Sequence, residues 1–210
     1  MSVTIQWLGH ASFRISDADE VIYIDPWKIS GQPKDATVVL ISHSHYDHYS
    51  SDDVGKVSAA DTKVFGSGDV IDEYGSGHLI EPGQTVEAGG VVITAVAAYN
   101  RAKQFHPKDN KWLGFVVEIG SKRIYYAGDT DLIKEMKSLK NIDLALLPVG
   151  GTYTMDAAAA GGAVKYIKPK QALSYHWGDI VGSRADADTF ASGSDCAVTV
   201  LQPSDSIVLE

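Results

Sequence analysis

The strongest constraint on the fold is an apolar run that leads directly into a cluster of histidines. Residues 38–41 read Val-Val-Leu-Ile, an unbroken apolar stretch typical of a strand buried on both faces. Residues 42–48 read Ser-His-Ser-His-Tyr-Asp-His, which adds three histidines and an aspartate at once. Imidazole and carboxylate groups are ligands that zinc and other first-row divalent ions accept. The stretch therefore predicts a buried strand that ends in a metal-binding loop.

The spacing within this loop favours two ion sites. In an extended segment, side chains two residues apart point the same way, so His43 and His45 can contact one ion. Asp47 and His48 come after the chain turns, face elsewhere and suit a second ion nearby. The alternative is a solvated polar loop whose histidines cap the next helix. Four ligand-type side chains at this spacing favour metal binding over that alternative.

The order His-x-His-x-Asp-His after a buried strand resembles the signature of the metallo-β-lactamase superfamily of binuclear metallohydrolases. The chain looks like the short UlaG-like metal-dependent hydrolases of that superfamily, which include L-ascorbate-6-phosphate lactonases. The resemblance covers most of the chain and implies a four-layer αββα sandwich, two divalent metal ions and hydrolytic activity. The supporting stretches are residues 9–13, 24–27, 98–100, 126–130 and 148–156.

A weak internal duplication agrees with an α/β (α+β) sandwich built from two similar halves. Residues 7–9 and 112–114 both read Trp-Leu-Gly, and each begins a hairpin whose second strand leads to an aspartate, Asp25 or Asp129. We therefore expect two β-rich halves that face one another with helices outside. The length fits a single domain over residues 1–210. The alternative is chance similarity between two ordinary hairpins.

Local patterns predict where the elements of this sandwich lie. The first hairpin should pair a strand at residues 4–15 with one at residues 21–24. Helices are expected at residues 51–59 and 156–167, and two strands at residues 85–97 around a Gly-Gly turn.

The resemblance assigns the remaining metal ligands to residues far from the central loop. Asp129, in a Gly-Asp-Thr sequence, is the expected bridge between the ions, although the residues alone would also allow it to cap a helix at residues 130–139. His176 ends an apolar strand, and His106 precedes the second hairpin. His78 is expected to be a surface or strand residue instead. The expected ligands are His43, His45 and His106 for one ion, Asp47, His48 and His176 for the other, and Asp129 between them.

Further residues are expected around this centre. By resemblance, His10 lies at the active-site rim, with a satisfied core histidine as the alternative. Asp25 occupies the position in the first half that Asp129 occupies in the second, and should accept a hydrogen bond from a ligand imidazole. The expected pocket walls, which bind substrate, are Tyr99, Asn100, Thr152 and Tyr153.

Such a centre is suited to hydrolysis. Two ions held close together allow a bridging water to lose its proton near neutral pH and act as the nucleophile, while open coordination positions polarise the substrate. The catalytic residues are expected to be Asp47, which would orient this hydroxide and shuttle its proton, and the bridging Asp129. Zinc and manganese are the ions we expect first, and sites of nitrogen and oxygen ligands also accept iron and nickel.

Charge restricts the substrates and partners. The net charge of −9 argues against a general affinity for nucleic acid, which depends on Lys and Arg. Cations nevertheless cluster at residues 101–111, in a loop that either attracts an anionic substrate or is an ordinary solvated surface. The resemblance to lactonases, together with this loop, implies a small anionic lactone or phosphorylated metabolite as substrate, with a phosphodiesterase or nuclease as the alternative.

Two other classes of function have the same fold: iron oxidoreductases and non-catalytic metal-binding modules. The redox proteins typically carry glutamate where this chain has His45, together with a flavin domain for which this chain is too short. The start of the chain lacks a secretory signal, no apolar run approaches a membrane span, and Cys196 is the single cysteine. These features predict a cytoplasmic protein, and the sequence is compatible with a homo-oligomer.

Overall fold

The strands of the chain form two sheets, whose bounds come from a computed structural model that describes residues 2–210. The first half of the chain supplies β1 (Val3–Gly9), β2 (Ser12–Ser16), β3 (Val21–Ile24), β4 (Ala36–Ile41), β5 (Ser58–Gly66) and β6 (His78–Leu79). The second half supplies β7 (Thr85–Ala88), β8 (Val91–Ala97), β9 (Leu113–Ile119), β10 (Lys122–Tyr126), β11 (Leu144–Pro148), β12 (Gln171–Tyr175), β13 (Ala197–Thr199) and β14 (Ser206–Leu209).

Helices cover the outer faces of these sheets. Those in residues 2–210 are α1 (Ser51–Val57), α2 (Gly68–Tyr74), α3 (Ala157–Ile167) and α4 (Arg184–Gly193), with two short 3-10 segments at Lys108–Asn110 and Lys134–Ser138. Helices α1 and α2 share a small apolar cluster with one face of β4, whereas α3 and α4 join the large central core. None of the helices in the described part of the chain is both long and apolar enough to traverse a bilayer.

The two sheets have the same strand plan. The first runs β14-β1-β2-β3-β4-β5-β6 and the second β7-β8-β9-β10-β11-β12-β13, each with seven strands. In both, the first four strands are antiparallel neighbours and the last four are parallel neighbours. The expected αββα sandwich of two similar halves is therefore confirmed.

One detail of the expected duplication is wrong. Residues 7–9 end β1, whereas residues 112–114 lie at the start of β9, the counterpart of β2. The single strand expected at residues 4–15 is in fact β1 and β2, which form a hairpin around His10. Gly9 and His10 have φ values of 122° and 46°, and this left-handed backbone reverses the chain. Alternating hydrophobicity continues through the turn, so the pattern does not reveal it.

The expected helix at residues 130–139 is also wrong, because only the 3-10 segment Lys134–Ser138 forms there. The chain at its start is instead tied to the loop before β9. The Thr130 hydroxyl donates to the Tyr99 carbonyl oxygen at 3.1 Å, and the Asp131 amide donates to the same oxygen at 3.0 Å. These bonds hold residues 130 and 131 against the loop before β9.

The strand ends converge on one edge of the sandwich. Parallel strands have their carboxyl ends on the same side of a sheet, and α/β sites gather there. Backbone hydrogen bonds join the two sheets at this edge: His176 N donates to His10 O at 3.0 Å, and Leu113 N donates to Ser42 O at 3.1 Å. Side chains that are remote in sequence are thereby brought together.

Gly128, just after β10, is expected to be indispensable to this edge. Its φ is 68°, and a Cβ atom there would overlap the Leu113 carbonyl oxygen. We expect Gly128→Ala to lower the free energy of unfolding by about 3 kcal/mol, because backbone strain and the clash add. The matched control is Gly31→Ala, with φ 71° and no atom within 4 Å of an added Cβ, which should cost about 1 kcal/mol. Urea denaturation of both variants in chelator tests this, and equal losses would contradict it.

Candidate metal centre

The expected ligands come together in two groups at the shared edge. Nitrogen atoms of His43, His45 and His106 lie within 4.8 Å of one another, and the second group draws its ligand atoms from His10, Asp47, His48 and His176 within the same limit. The sequence predicted that His10 lies at the edge of the active site, and it did not predict that a His10 nitrogen lies among the possible ligand atoms of the second group.

Asp129 lies between the two groups. Its Oδ1 is 3.2 Å from His48 Nε2, and its Oδ2 is 3.2 Å from His106 Nε2 and 3.1 Å from His176 Nε2. One carboxylate therefore contacts members of both groups, which is the geometry that a group shared between two cations needs.

The residues that follow the strands have unusual backbone conformations. Asp25 comes directly after β3 with φ 44°, and His176 directly after β12 with φ 60°. Left-handed backbone is uncommon outside glycine and costs energy, and it is concentrated at functional sites.

A buried carboxylate orients imidazoles of both groups. Asp25 is fully buried and accepts four hydrogen bonds: from Ser42 N at 2.7 Å, Ser42 Oγ at 2.5 Å, Tyr126 OH at 2.6 Å and His48 Nδ1 at 2.7 Å. Ser42 Oγ is in turn 2.9 Å from His43 Nδ1. The Nδ1 atoms of His43 and His48 are thus engaged, which leaves Nε2 of each ring for another partner.

Asn100 orients the imidazole ring of His106 in the first group. Its Oδ1 lies 3.0 Å from His106 Nδ1 and accepts the His106 backbone N–H at 3.1 Å. Its Nδ2 donates to the Tyr153 carbonyl at 2.9 Å. Asn100 was expected as a pocket wall, but its side chain positions a histidine.

The donor set fits a divalent cation. Buried Nε2 atoms of His48, His106 and His176 and Oδ1 of Asp129 make no well-aligned hydrogen bond, although the three nitrogens lie 3.1–3.2 Å from Asp129 oxygens. An unsatisfied buried polar atom costs about 1–3 kcal/mol, and such atoms are rare in proteins. Three of them surround the carboxylate that carries the fourth, and cations shared by these nitrogen and oxygen ligands would satisfy all four.

The protonation states of most of these groups agree with this fit. At His48 burial lowers the pKa but Asp129 raises it well above its usual range, so a cation there would take the place of a proton. Burial, and then the neighbouring histidines, lower the pKa of His43 and His45, which favours the neutral imidazole that binds metal. Burial alone would raise the pKa of Asp47, but the hydrogen bond to His10 and the charge of His48 outweigh it and hold the pKa at about 2. Burial likewise opposes ionisation of Asp129, yet His176 and His48 keep its pKa well below the usual range.

Sequence reasoning missed an aromatic wall beside the first group. The Trp112 ring centroid lies 4.7 Å from those of His43 and His45. Trp112 Nε1 donates to Asp69 Oδ2 at 2.7 Å, and Asp69, in the first turn of α2, also accepts from Ser44 Oγ at 2.6 Å. Trp112 stood in the Trp-Leu-Gly sequence and could have been found there, whereas nothing marked Asp69.

A cavity of 220 Å³ opens onto the centre. Of the expected pocket walls, Tyr153 lines this cavity. Thr152 is exposed to solvent outside the cavity lining, and Tyr99 also lies outside it, with its hydroxyl donating to Glu135 at 2.9 Å. His10 is buried, with Nε2 2.9 Å from Asp47 Oδ2, and it lines a neighbouring 350 Å³ cavity instead. The residues around the 220 Å³ cavity are His45, Tyr46, Asp47, Phe105, His106, Asp129, Tyr153 and Ile180.

The lysines of the basic loop are engaged away from this cavity. Lys103 Nζ lies 2.9 Å from the Gly151 carbonyl oxygen and 3.1 Å from Asp131. Lys108 pairs with Glu135 at 3.1 Å and Lys111 with Glu81 at 2.7 Å. The loop therefore gives little support to an anionic substrate.

Comparison with known proteins relates this centre to a family. Residues 4–176 match the model of the beta-lactamase superfamily domain. A UPF0173 metal-dependent hydrolase of Thermoplasma volcanium is 34% identical, covering 89% of this chain and 88% of the relative, and one of Pyrococcus abyssi is 30% identical, covering 99% and 100%. A crystal structure from Parabacteroides distasonis superposes with a TM-score of 0.84 at 29% identity, covering 95% of this chain and 94% of the other. The chain therefore belongs to the beta-lactamase superfamily and, within it, to the UPF0173 metal-dependent hydrolases.

Proposed function

We propose that the chain is a binuclear metal-dependent hydrolase of small molecules with an activated carbonyl, such as lactones. The observation that carries this proposal is the position of Asp129, whose two oxygens contact histidines of both groups. One ion would be held by the first group and one by the second, with Asp129 shared. The likeness to relatives named metal-dependent hydrolases supports the same class of reaction.

When bound, two divalent ions would supply an activated water and would polarise the scissile carbonyl. The protein's own part is to orient ligands and to move a proton. Asp25 and Asn100 fix the rings of His48 and His106. Asp47 belongs to the second group and lines the cavity, with its Oδ2 2.9 Å from His10 Nε2, and we assign its carboxylate both to that ion and to proton transfer during hydrolysis.

A phosphodiester is the second candidate substrate, since the same ligand set serves phosphorus chemistry. The residues that line the 220 Å³ cavity include neither lysine nor arginine, which are the usual side chains that bind phosphate. This disfavours a phosphorylated metabolite and leaves a carbonyl substrate as the better candidate.

Metal content and activity should fall together when a ligand is removed. Wild-type protein reloaded with zinc or manganese is expected to hold two ions per chain and to hydrolyse a member of a lactone and phosphodiester panel. His45→Ala should lose metal and lower kcat/KM by more than the roughly 10–100-fold expected for loss of a group that only orients a ligand. Mass spectrometry of the metals, with initial rates, measures both.

The control is His78→Ala, because His78 is exposed in β6 and absent from both ligand groups. It should keep the metal content and the rate of the wild type. Activity that survives in both His45→Ala and Asp129→Ala would contradict the proposal and would indicate a contaminating enzyme.

The buried Asp25 should control metal affinity without touching the metal. Asp25→Asn keeps the size of the side chain but weakens acceptance from Ser42 and His48, and we expect about 10–100-fold weaker metal binding. Competition with a chromophoric chelator measures this. The matched control is Asp35→Asn, because Asp35 is half-buried, pairs with Arg14 at 2.8 Å and belongs to neither ligand group. Equal metal affinity in the two variants would show that Asp25 does not orient ligands.

A further inference from the structure

We propose that the substrate carries a compact, uncharged aromatic group beside the bond that is broken, and that Tyr46, Phe105, Tyr153 and Ile180 hold this group. The inference rests on the proposed hydrolase function and names its substrate class. These four residues, called the rim here, are the members of the cavity lining that belong to neither ligand group nor to Asp129.

The rim leaves apolar surface uncovered at the mouth of the site. Tyr46 is 68% exposed and Phe105 46% exposed, and both rank among the exposed large hydrophobic residues of the described chain. Exposed apolar surface that borders a cavity marks a place where a ligand is bound. A ligand that covered these rings would remove apolar area from water at the place where the reaction occurs.

The rings are already arranged to receive another ring. Phe105 packs edge-on against Tyr153 with centroids 4.7 Å apart and an interplanar angle of 86°. Tyr46 packs edge-on against Trp27 at 6.2 Å and 71°. Aromatic groups gain most from such edge-to-face and offset contacts, and rings held by neighbours lose little freedom on binding.

Charge and size exclude a large or anionic group at this position. The lysines of the nearby basic loop pair with acids, and Arg101 and Lys134 line a separate 540 Å³ cleft. Pockets for drug-sized ligands have volumes of about 300–1,000 Å³. At 220 Å³, the cavity suits a single ring joined to a small reactive group.

Matched lactones test the proposal on the metal-loaded protein. Hydrolysis breaks the acyl C–O bond, with water supplying the hydroxyl of the new acid and the proton of the new alcohol. The compounds are γ-butyrolactone, its α-phenyl derivative and the α-(4-carboxyphenyl) derivative. We expect kcat/KM to rise about tenfold or more with the phenyl group and to fall again with the carboxylate.

Substitutions test whether the rim causes the preference for the phenyl lactone. Phe105→Ala should reduce the ratio of kcat/KM for the phenyl lactone over the unsubstituted lactone by about tenfold. The control Val208→Ala removes a residue of similar exposure, 53%, from the edge strand β14 and should leave the ratio unchanged. Calorimetric binding of the corresponding phenyl and unsubstituted lactams measures the same preference without turnover.

The outcomes separate this inference from the proposed function. Metal-dependent hydrolysis with no preference for the phenyl group, or with preference for the carboxylate, overturns the aromatic assignment and leaves the hydrolase intact. Failure to bind metal or to hydrolyse any compound defeats the proposed function. In that case the lactam titration still decides whether the rim binds a ring, and equal affinities would overturn the inference.

Discussion

The burial of Asp25 is the interaction on which the rest of this edge depends. A carboxylate without access to water is tolerated only when it is fully hydrogen-bonded, because removing its partners leaves an uncompensated charge. Here two of its donors come from residue 42, one from His48 and one from Tyr126 at the end of β10. Tyr126 belongs to the second sheet, whereas Ser42 and His48 lie in the loop after β4 of the first, so one carboxyl group links the two sheets to the ring of a candidate ligand histidine.

The duplicated strand plan places Asp25 and Asp129 after matching strands but not at equivalent positions. Each follows the fourth strand in the order of its sheet, β3 or β10. Asp25 N donates to Leu40 O as Ala127 N donates to Leu146 O, so Asp129 lies two residues beyond the counterpart of Asp25. Asp25 is turned into a closed network in which both oxygens are satisfied, whereas Asp129 Oδ1 makes no well-aligned hydrogen bond. A symmetric fold thus supplies two carboxylates at one edge, one that orients ligands and one that is left available to cations.

Much of the candidate site could be predicted from the sequence because several of its residues directly follow strands, where apolar runs stop abruptly. The apolar run before His43 and the strand before His176 indicated where in the fold each histidine lies and at which end of its strand. The failures have a different cause. The turn at His10 preserves the alternation of its flanking strands, and the expectation that Asn100 lines the pocket did not include its contact with His106. Side-chain contacts between distant residues do not affect the hydrophobic pattern of the sequence. The contacts of Asp69 with Trp112 and Ser44 therefore could not be predicted.

The rim residues follow a simpler rule that links specificity to the metal centre. Tyr46 lies between His45 and Asp47, Phe105 precedes His106, and Ile180 lies four residues after His176. The backbone that positions each ligand therefore also positions a neighbour at the mouth. Such neighbours are carried on loops, which tolerate substitution better than strands do. Single replacements at the rim can thus change the substrate preference without changing the histidines and carboxylates of the metal centre. Changes of this kind allow one fold to serve many reactions.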